Sequence, residues 1–355
     1  MRIWLSLAAL IAAVSTACAQ QSSAPRPTTI TLSVRPIALN AENPTQNGVG
    51  ALRYLGGLEL ASNAIDFGGL SGLVVSADQS QLLAITDKSF WFCADVELGA
   101  QGQLITLENA WMMPLEPLSG FDFTKKKQAD AEALSIDPAG QNAFVAFEGM
   151  HRVWRYAIPD AADLCSVAMS RPSAVAGPAG LSDLPVNGGI ESLDNLQSGA
   201  LIMIAEAPLR KNKGQPGWVI PLEQAASGRV ATPFTYQSPA PFKPTDIAVT
   251  GDGVFILQRH YSVLSGVSGA LSWIERAQIE KARTVPGTQL NSTLLAQFAP
   301  PLSVDNFEGL SALPDGQGGY VLYIISDDNF SPFQRTLLLK FSLSKDALKA
   351  ALKRP

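Results

Sequence analysis

Glu132, Glu191 and Glu308 each sit inside a short phrase that the chain writes five times. The phrases are Gly69-Leu70-Ser71-Gly72-Leu73, Asp130-Ala131-Glu132-Ala133-Leu134, Gly189-Ile190-Glu191-Ser192-Leu193, Thr245-Asp246-Ile247-Ala248-Val249 and Phe307-Glu308-Gly309-Leu310-Ser311. Counted at Ser71, Glu132, Glu191, Asp246 and Glu308, they step by 61, 59, 55 and 62 residues. A second polar set follows, made of Asp87, Glu148, Glu206, Gln258-Arg259 and Asp327-Asp328. Carboxylates gathered in one place cannot all stay ionised unaided. Bound cations, neighbouring Arg or Lys, or raised pKa values must compensate. Oxygen donors in this number favour Ca²⁺, and a bound cation can activate water for hydrolysis. Glu132, Glu191, Glu308 and Asp327 are therefore candidate catalytic residues. Asp87, Glu148, Glu206, Asp246 and Asp328 are candidate metal ligands. Arg259, Arg335, Arg152, Lys88 and His260 are candidates to hold the anionic part of a small substrate. The competing reading of each acid is a purely structural one, in which it accepts backbone amides.

A recurring unit of this length defines the architecture that must position these groups. Each phrase opens an apolar run. A turn rich in Asp, Gly, Pro or Asn follows, then a second, more hydrophobic run at 81–86, 143–147, 200–205, 254–257 and 320–326. Two such runs around a turn read as a hairpin. Weaker runs such as 152–158 and 336–343 supply further strands, and no unit carries a long amphipathic helix. Four short strands per unit make a propeller blade. The expected fold is all-β, a five-bladed propeller; a six-bladed alternative would need residues 30–39 in a further blade. The last unit has three obvious strands, and the run at 52–60 is expected to supply its fourth and close the ring. If the phrase is the innermost strand, its antiparallel neighbour returns to the same end. Both polar sets then meet at one mouth of the channel.

The bulk numbers fit one large β domain. The chain has 355 residues, 46% hydrophobic and 16% charged, with a net charge of −5. That balance, with no basic block, argues against nucleic acid as a partner. Arg2 followed by an apolar stretch at 3–14 reads as a signal segment, too short to span a bilayer. Ala17-Cys18-Ala19 fits a cleavage site; the alternative makes Cys18 a lipid-anchored residue. Both readings place the protein in the periplasm or outside the cell, and no later stretch is apolar enough for a transmembrane helix. The division is a signal peptide at 1–19, a lead-in at 20–50 disordered through residue 29, a propeller at 51–343 and a short helical tail at 344–355. A monomer is expected. Cys93 and Cys165 stand either as a disulfide or as two separate buried thiols. No G-x-S-x-G elbow or zinc pattern appears, and the two histidines, His151 and His260, leave little room for a Ser-His-Asp triad.

The stretch Leu322-Tyr323-Ile324-Ile325-Ser326-Asp327-Asp328-Asn329-Phe330, continuing through Gln334-Arg335-Thr336-Leu337-Leu338, resembles the phytase-like family described as having esterase-like activity of phytase. The phrases around Ser71, Glu132 and Glu308 agree, and the resemblance runs from about residue 52 to 343. It implies an exported bacterial propeller that hydrolyses a phosphate or carboxylic ester, with calcium held by acidic clusters. A metal-dependent lactonase and a non-enzymatic periplasmic binding propeller are the alternatives.

Overall fold

The computed structural model describes residues 26–208, 214–222, 231–264 and 266–353. The signal segment, its cleavage site and Cys18 lie outside these residues. Five sheets are arranged as the blades of a propeller. Their innermost strands are Leu70–Val75, Ala131–Ile136, Ile190–Leu196, Lys243–Val249 and Asn306–Pro314. Each touches the next, and the last touches the first, so the ring closes at five. The second strands are Gln81–Thr86, Asn142–Phe147, Ala200–Ala205, Gly253–Ser262 and Tyr320–Asp327. Their central residues are buried on both faces because each strand is sandwiched between neighbouring blades. Ala200–Ala205 is buried at every position.

The ring is closed by the chain's beginning. Leu52–Ser62 pairs antiparallel with Thr336–Leu343 and so becomes the fourth strand of the last blade. The apolar residues of this junction pack in one core, with Leu58 and Leu338 against Leu70, Leu82 and Phe92. Leu32–Ile37 lies outside Leu52–Ser62 as an added edge strand, not as part of a sixth blade. The lead-in is also ordered earlier than the sequence suggests. Thr28 and Thr29 pair with Met112 and Trp111, covering the exposed edge of the first blade. A second departure is the insertion in the fourth blade. Helix Arg276–Thr284 carries the chain to strand Thr288–Asn291, which runs parallel to Thr232–Gln237 of the third blade. The tail forms the expected helix, Lys345–Leu352, with the Ser344 hydroxyl accepting from the Ala347 amide.

Cys93 and Cys165 are joined in a disulfide with their Cα atoms 6.1 Å apart. The bridge ties the first blade to the short helix Leu164–Met169 and spans 72 residues of sequence. Constraining an unfolded loop of that length is worth about 4 kcal/mol. Reduction, or the Cys93→Ser/Cys165→Ser pair, is therefore expected to lower the chemical-denaturation stability by roughly that amount. An unchanged midpoint would show that the bridge adds nothing.

Candidate functional site

One local device repeats in all five blades. The register of the inner strand slips by one residue against its neighbour, a β-bulge, and the residue passed over differs from blade to blade. It is Gly72, Glu132, Glu191, Thr245 and Glu308 in turn. A bulge frees one side chain from the alternation of the strand and re-aims it. Three blades thus present a glutamate at equivalent places. Gly72 takes a left-handed φ of 54° and lies so close to the second blade that a Cβ would stand 2.6 Å from the Leu134 amide nitrogen.

The bulge explains why Asp246 does not share the site that its phrase suggested. The position equivalent to the glutamates is Thr245, whose hydroxyl donates to the Phe307 carbonyl at 2.9 Å. Asp246, one residue on, accepts the Leu310 amide at 2.7 Å and the Ile247 amide at 2.8 Å. It clamps the fourth blade to the fifth. Asp328 has a similar part. Its carboxylate accepts the amides of Gly69 and Phe330 and the Thr336 hydroxyl, linking the last blade to the first.

The second blade carries the tightest acidic group. One carboxylate oxygen from each of Asp130, Glu132 and Glu148 lies within 4.8 Å of the others. Glu148 Oε1 accepts the amides of Gly188 and Gly189, the latter at 2.6 Å, which orients the carboxylate. The Glu148 amide donates to the Asp130 carbonyl at 2.7 Å and holds the two residues side by side. Ser71 donates to Glu132 Oε2 at 3.1 Å from the first blade. Asp130 was not among the residues singled out from sequence. Its signal is the Asp-x-Glu spacing at the start of the inner strand, where Asp130 precedes the strand and the bulge re-aims Glu132.

Across the mouth the compensation is cationic. Arg259 Nε stands 2.8 Å from Glu308 Oε1, and Arg259 Nη2 stands 3.5 Å from Glu206 Oε1. Lys243 Nζ reaches Glu206 Oε2 at 3.1 Å. Asn306 donates to Glu308 at 2.7 Å, again at a spacing of two residues. Glu191 lies in the field of Glu206, Glu308, Arg259 and Glu132, and its buried Oε2 has no hydrogen-bond partner. Asp327 accepts the Asn329 amide at 2.6 Å beside Glu308 and Asp87. A buried oxygen of Asp87 likewise has no partner.

The remaining predicted binders lie at the edges of this ring. Arg152 stacks over Phe147, 3.9 Å from the ring centre, and donates to the carbonyls of Met150 and Gln128. It pins together the two loops that carry Glu148 and Asp130. Arg335 pairs with Asp305 at 3.6 Å and Glu59 at 3.7 Å, on the flank of the last blade. Lys88 sits 3.5 Å from the centre of the Phe330 ring and donates to the Ile65 carbonyl. His260 packs edge-on against Phe242. A cleft of about 690 Å³, lined by Arg259, Tyr261, Val267, Asn306 and Phe333, runs from the flank to Arg259.

Burial sets the protonation of the ring. It pushes Glu132 and Glu191 well above the usual carboxylate range, helped by neighbouring acids. It raises Asp87 to about 6, Glu308 to about 7 and Asp327 to about 8. Burial opposes the charge of Arg259, but Glu308, Glu191 and Glu206 outweigh it and keep the guanidinium protonated. The folded chain thus binds more protons than the unfolded one between about pH 4 and pH 8, and stability falls as pH rises through that window. The metal-free protein is expected to melt several degrees lower at pH 8 than at pH 5. A melting temperature that rises over this range would refute the assignment of raised pKa values.

Fold and mouth define a five-bladed β-propeller whose channel opens through an acidic ring able to hold a metal ion. The sequence model of the phytase-like family, described as esterase-like activity of phytase, matches residues 65–330, and the chain belongs to that family. No curated protein sequence matches the chain. Among solved structures it is similar to the hydrazine synthase of Kuenenia stuttgartiensis at 12% identity and a TM-score of 0.35, over 76% of this chain and 59% of that one. A tail fiber of a Staphylococcus aureus phage gives 11% identity and a TM-score of 0.39, over 81% of this chain and 52% of that one. A functionally unknown protein from Desulfotomaculum acetoxidans gives 10% and 0.32, over 78% of this chain and 74% of that one.

Proposed function

We propose that this protein is an exported, metal-assisted hydrolase of a small anionic ester, phosphoric or carboxylic, with Ca²⁺ at the channel mouth. The observation that carries the reading is the Asp130, Glu132 and Glu148 oxygen group facing Arg259 across one mouth. The donors are all carboxylate oxygens, which suits a hard cation. The Gly188 and Gly189 amides occupy one oxygen of Glu148 and leave the other to bind. When bound, the ion would polarise the ester and lower the pKa of a water. The chain's own residues do the rest. Glu308 and Glu206 fix the Arg259 guanidinium so that its outer face can receive the anionic group. Glu191, kept protonated by burial, can hold a proton near the leaving oxygen. The cleft beside Tyr261 and Phe333 takes the remainder of the substrate.

The test is hydrolysis of aryl phosphates, aryl acetates and simple lactones by the purified protein, with Ca²⁺ and with chelator. Ca²⁺-dependent turnover of the phosphate or acyl ester is expected. Turnover of lactones alone would make the protein a lactonase. Rates at background on all three would leave the binding-propeller reading in its place.

A further inference from the structure

The inner strands begin at the acidic mouth, and their other ends meet at the opposite end of the channel. There the later residues of all five strands line a separate cavity of about 210 Å³. Val75, Ile136, Val249 and Leu313 give it apolar walls from four blades, and the third blade contributes Asp194 and Asn195.

Asp194 is only partly buried, and it lines the cavity. Its Oδ1 accepts the Asn195 amide at 2.7 Å and its Oδ2 the Val249 amide at 2.6 Å. Two amides orient a carboxylate but carry no net charge, and each oxygen can accept a further bond. Among the described residues no cation offsets Asp194, and burial pushes it up to about 7. Asn195, the next residue, is 5% exposed. Its amide nitrogen donates to the Ser135 hydroxyl at 2.9 Å, and its buried Oδ1 has no partner. A carboxylate without a counter-ion and an amide oxygen without a donor therefore adjoin one apolar space. A single kind of group meets both needs, a cation that donates hydrogen bonds. Apolar walls suit a cation with a hydrocarbon body better than a hydrated inorganic ion.

We propose that this cavity binds a small alkylammonium ion, its NH₃⁺ on Asp194 and Asn195 and its chain against the apolar walls. The site is distinct from the acidic mouth, and the proposal does not depend on the hydrolase reading, since binding is read without turnover.

The experiment is a saturation-transfer NMR titration with n-butylammonium chloride, against n-butanol and sodium butyrate at equal ionic strength. Chelator is present, and the pH is about 8, where the amine is protonated and Asp194 is largely ionised. Saturable binding of the amine is expected, roughly tenfold or more tighter than that of the alcohol. Asp194→Asn keeps the shape and removes the charge. Ala312→Phe keeps the charge and adds bulk at the cavity wall. Each is expected to weaken amine binding by roughly tenfold or more. Near-ultraviolet circular dichroism verifies that each variant is folded, and Ala312→Phe decides alone should Asp194→Asn fail to fold. Absence of amine binding by the parent protein would overturn the proposal. So would equal affinity for the alcohol, or tighter binding of butyrate. Amine binding that survives the substitutions would belong to the acidic mouth and would overturn it as well.

Discussion

Asp130→Asn is expected to weaken the proposed Ca²⁺ binding by roughly a hundredfold, and any Ca²⁺-dependent hydrolysis with it, because it removes one of three converging carboxylates. The second half of the result discriminates between roles. Burial raises the Asp130 pKa, so the ionised group is held at a cost in the metal-free fold. Lys126 stands 3.8 Å away, but its side chain is 81% exposed and returns little of that cost. The neutral variant should therefore be as stable as the parent without metal, or more so, at pH 8. Calorimetric titration with Ca²⁺ and thermal melts in chelator check the two halves. A variant that binds Ca²⁺ normally but melts early would make Asp130 a packing residue.

Arg259→Met should have the largest effect on stability. It leaves Glu308 without its 2.8 Å partner, removes the cation whose field acts on Glu191, and leaves Glu206 with Lys243 alone. Stripping one member from a buried ion pair costs about 3–5 kcal/mol. The loss has a definite pH dependence. Without the guanidinium the acids rise further in pKa, and their protonated forms escape the penalty. The defect should thus be large at pH 8 and shrink toward pH 5. Adding Glu308→Gln should recover part of the stability, since the orphaned charge is gone. Urea unfolding of the four proteins of this cycle, at both pH values, measures the coupling. A defect independent of pH and unrelieved by Glu308→Gln would contradict the electrostatic account.

Much of the architecture is legible in the sequence because a blade is a local object. Phrase, turn and second run lie within about twenty residues, so periodicity exposes them. The closing strand can also be inferred, since the last unit lacks a strand and the run at 52–60 has no unit. The site is less legible, for a geometric reason. A bulge shifts the strand's alternation by one residue, so aligning phrases by residue type picks Asp246 where the equivalent position is Thr245. The same offset hides Gly72 behind Ser71. Asp130 lies inside a quoted phrase, yet its part depends on Glu148 returning beside it, a contact set by pairing across the blade. The helix Arg276–Thr284 and its parallel strand serve the third blade from within the fourth, and no local pattern announces such a loan.

The closure of the last blade by Leu52–Ser62 bears on the order in which the acidic mouth can be completed. That strand is made before any complete blade, and its partner Thr336–Leu343 is made after nearly everything else. Until the partner arrives, the early strand has an open edge and the ring has a gap. Glu308 and Asp327 belong to the blade that fills the gap, while Asp87 and the Asp130 group belong to those made first. The five-bladed mouth is therefore complete only once Thr336–Leu343 has paired with Leu52–Ser62. A chain lacking the last blade would keep the Asp130, Glu132 and Glu148 group of the second blade but not Glu308 or Asp327.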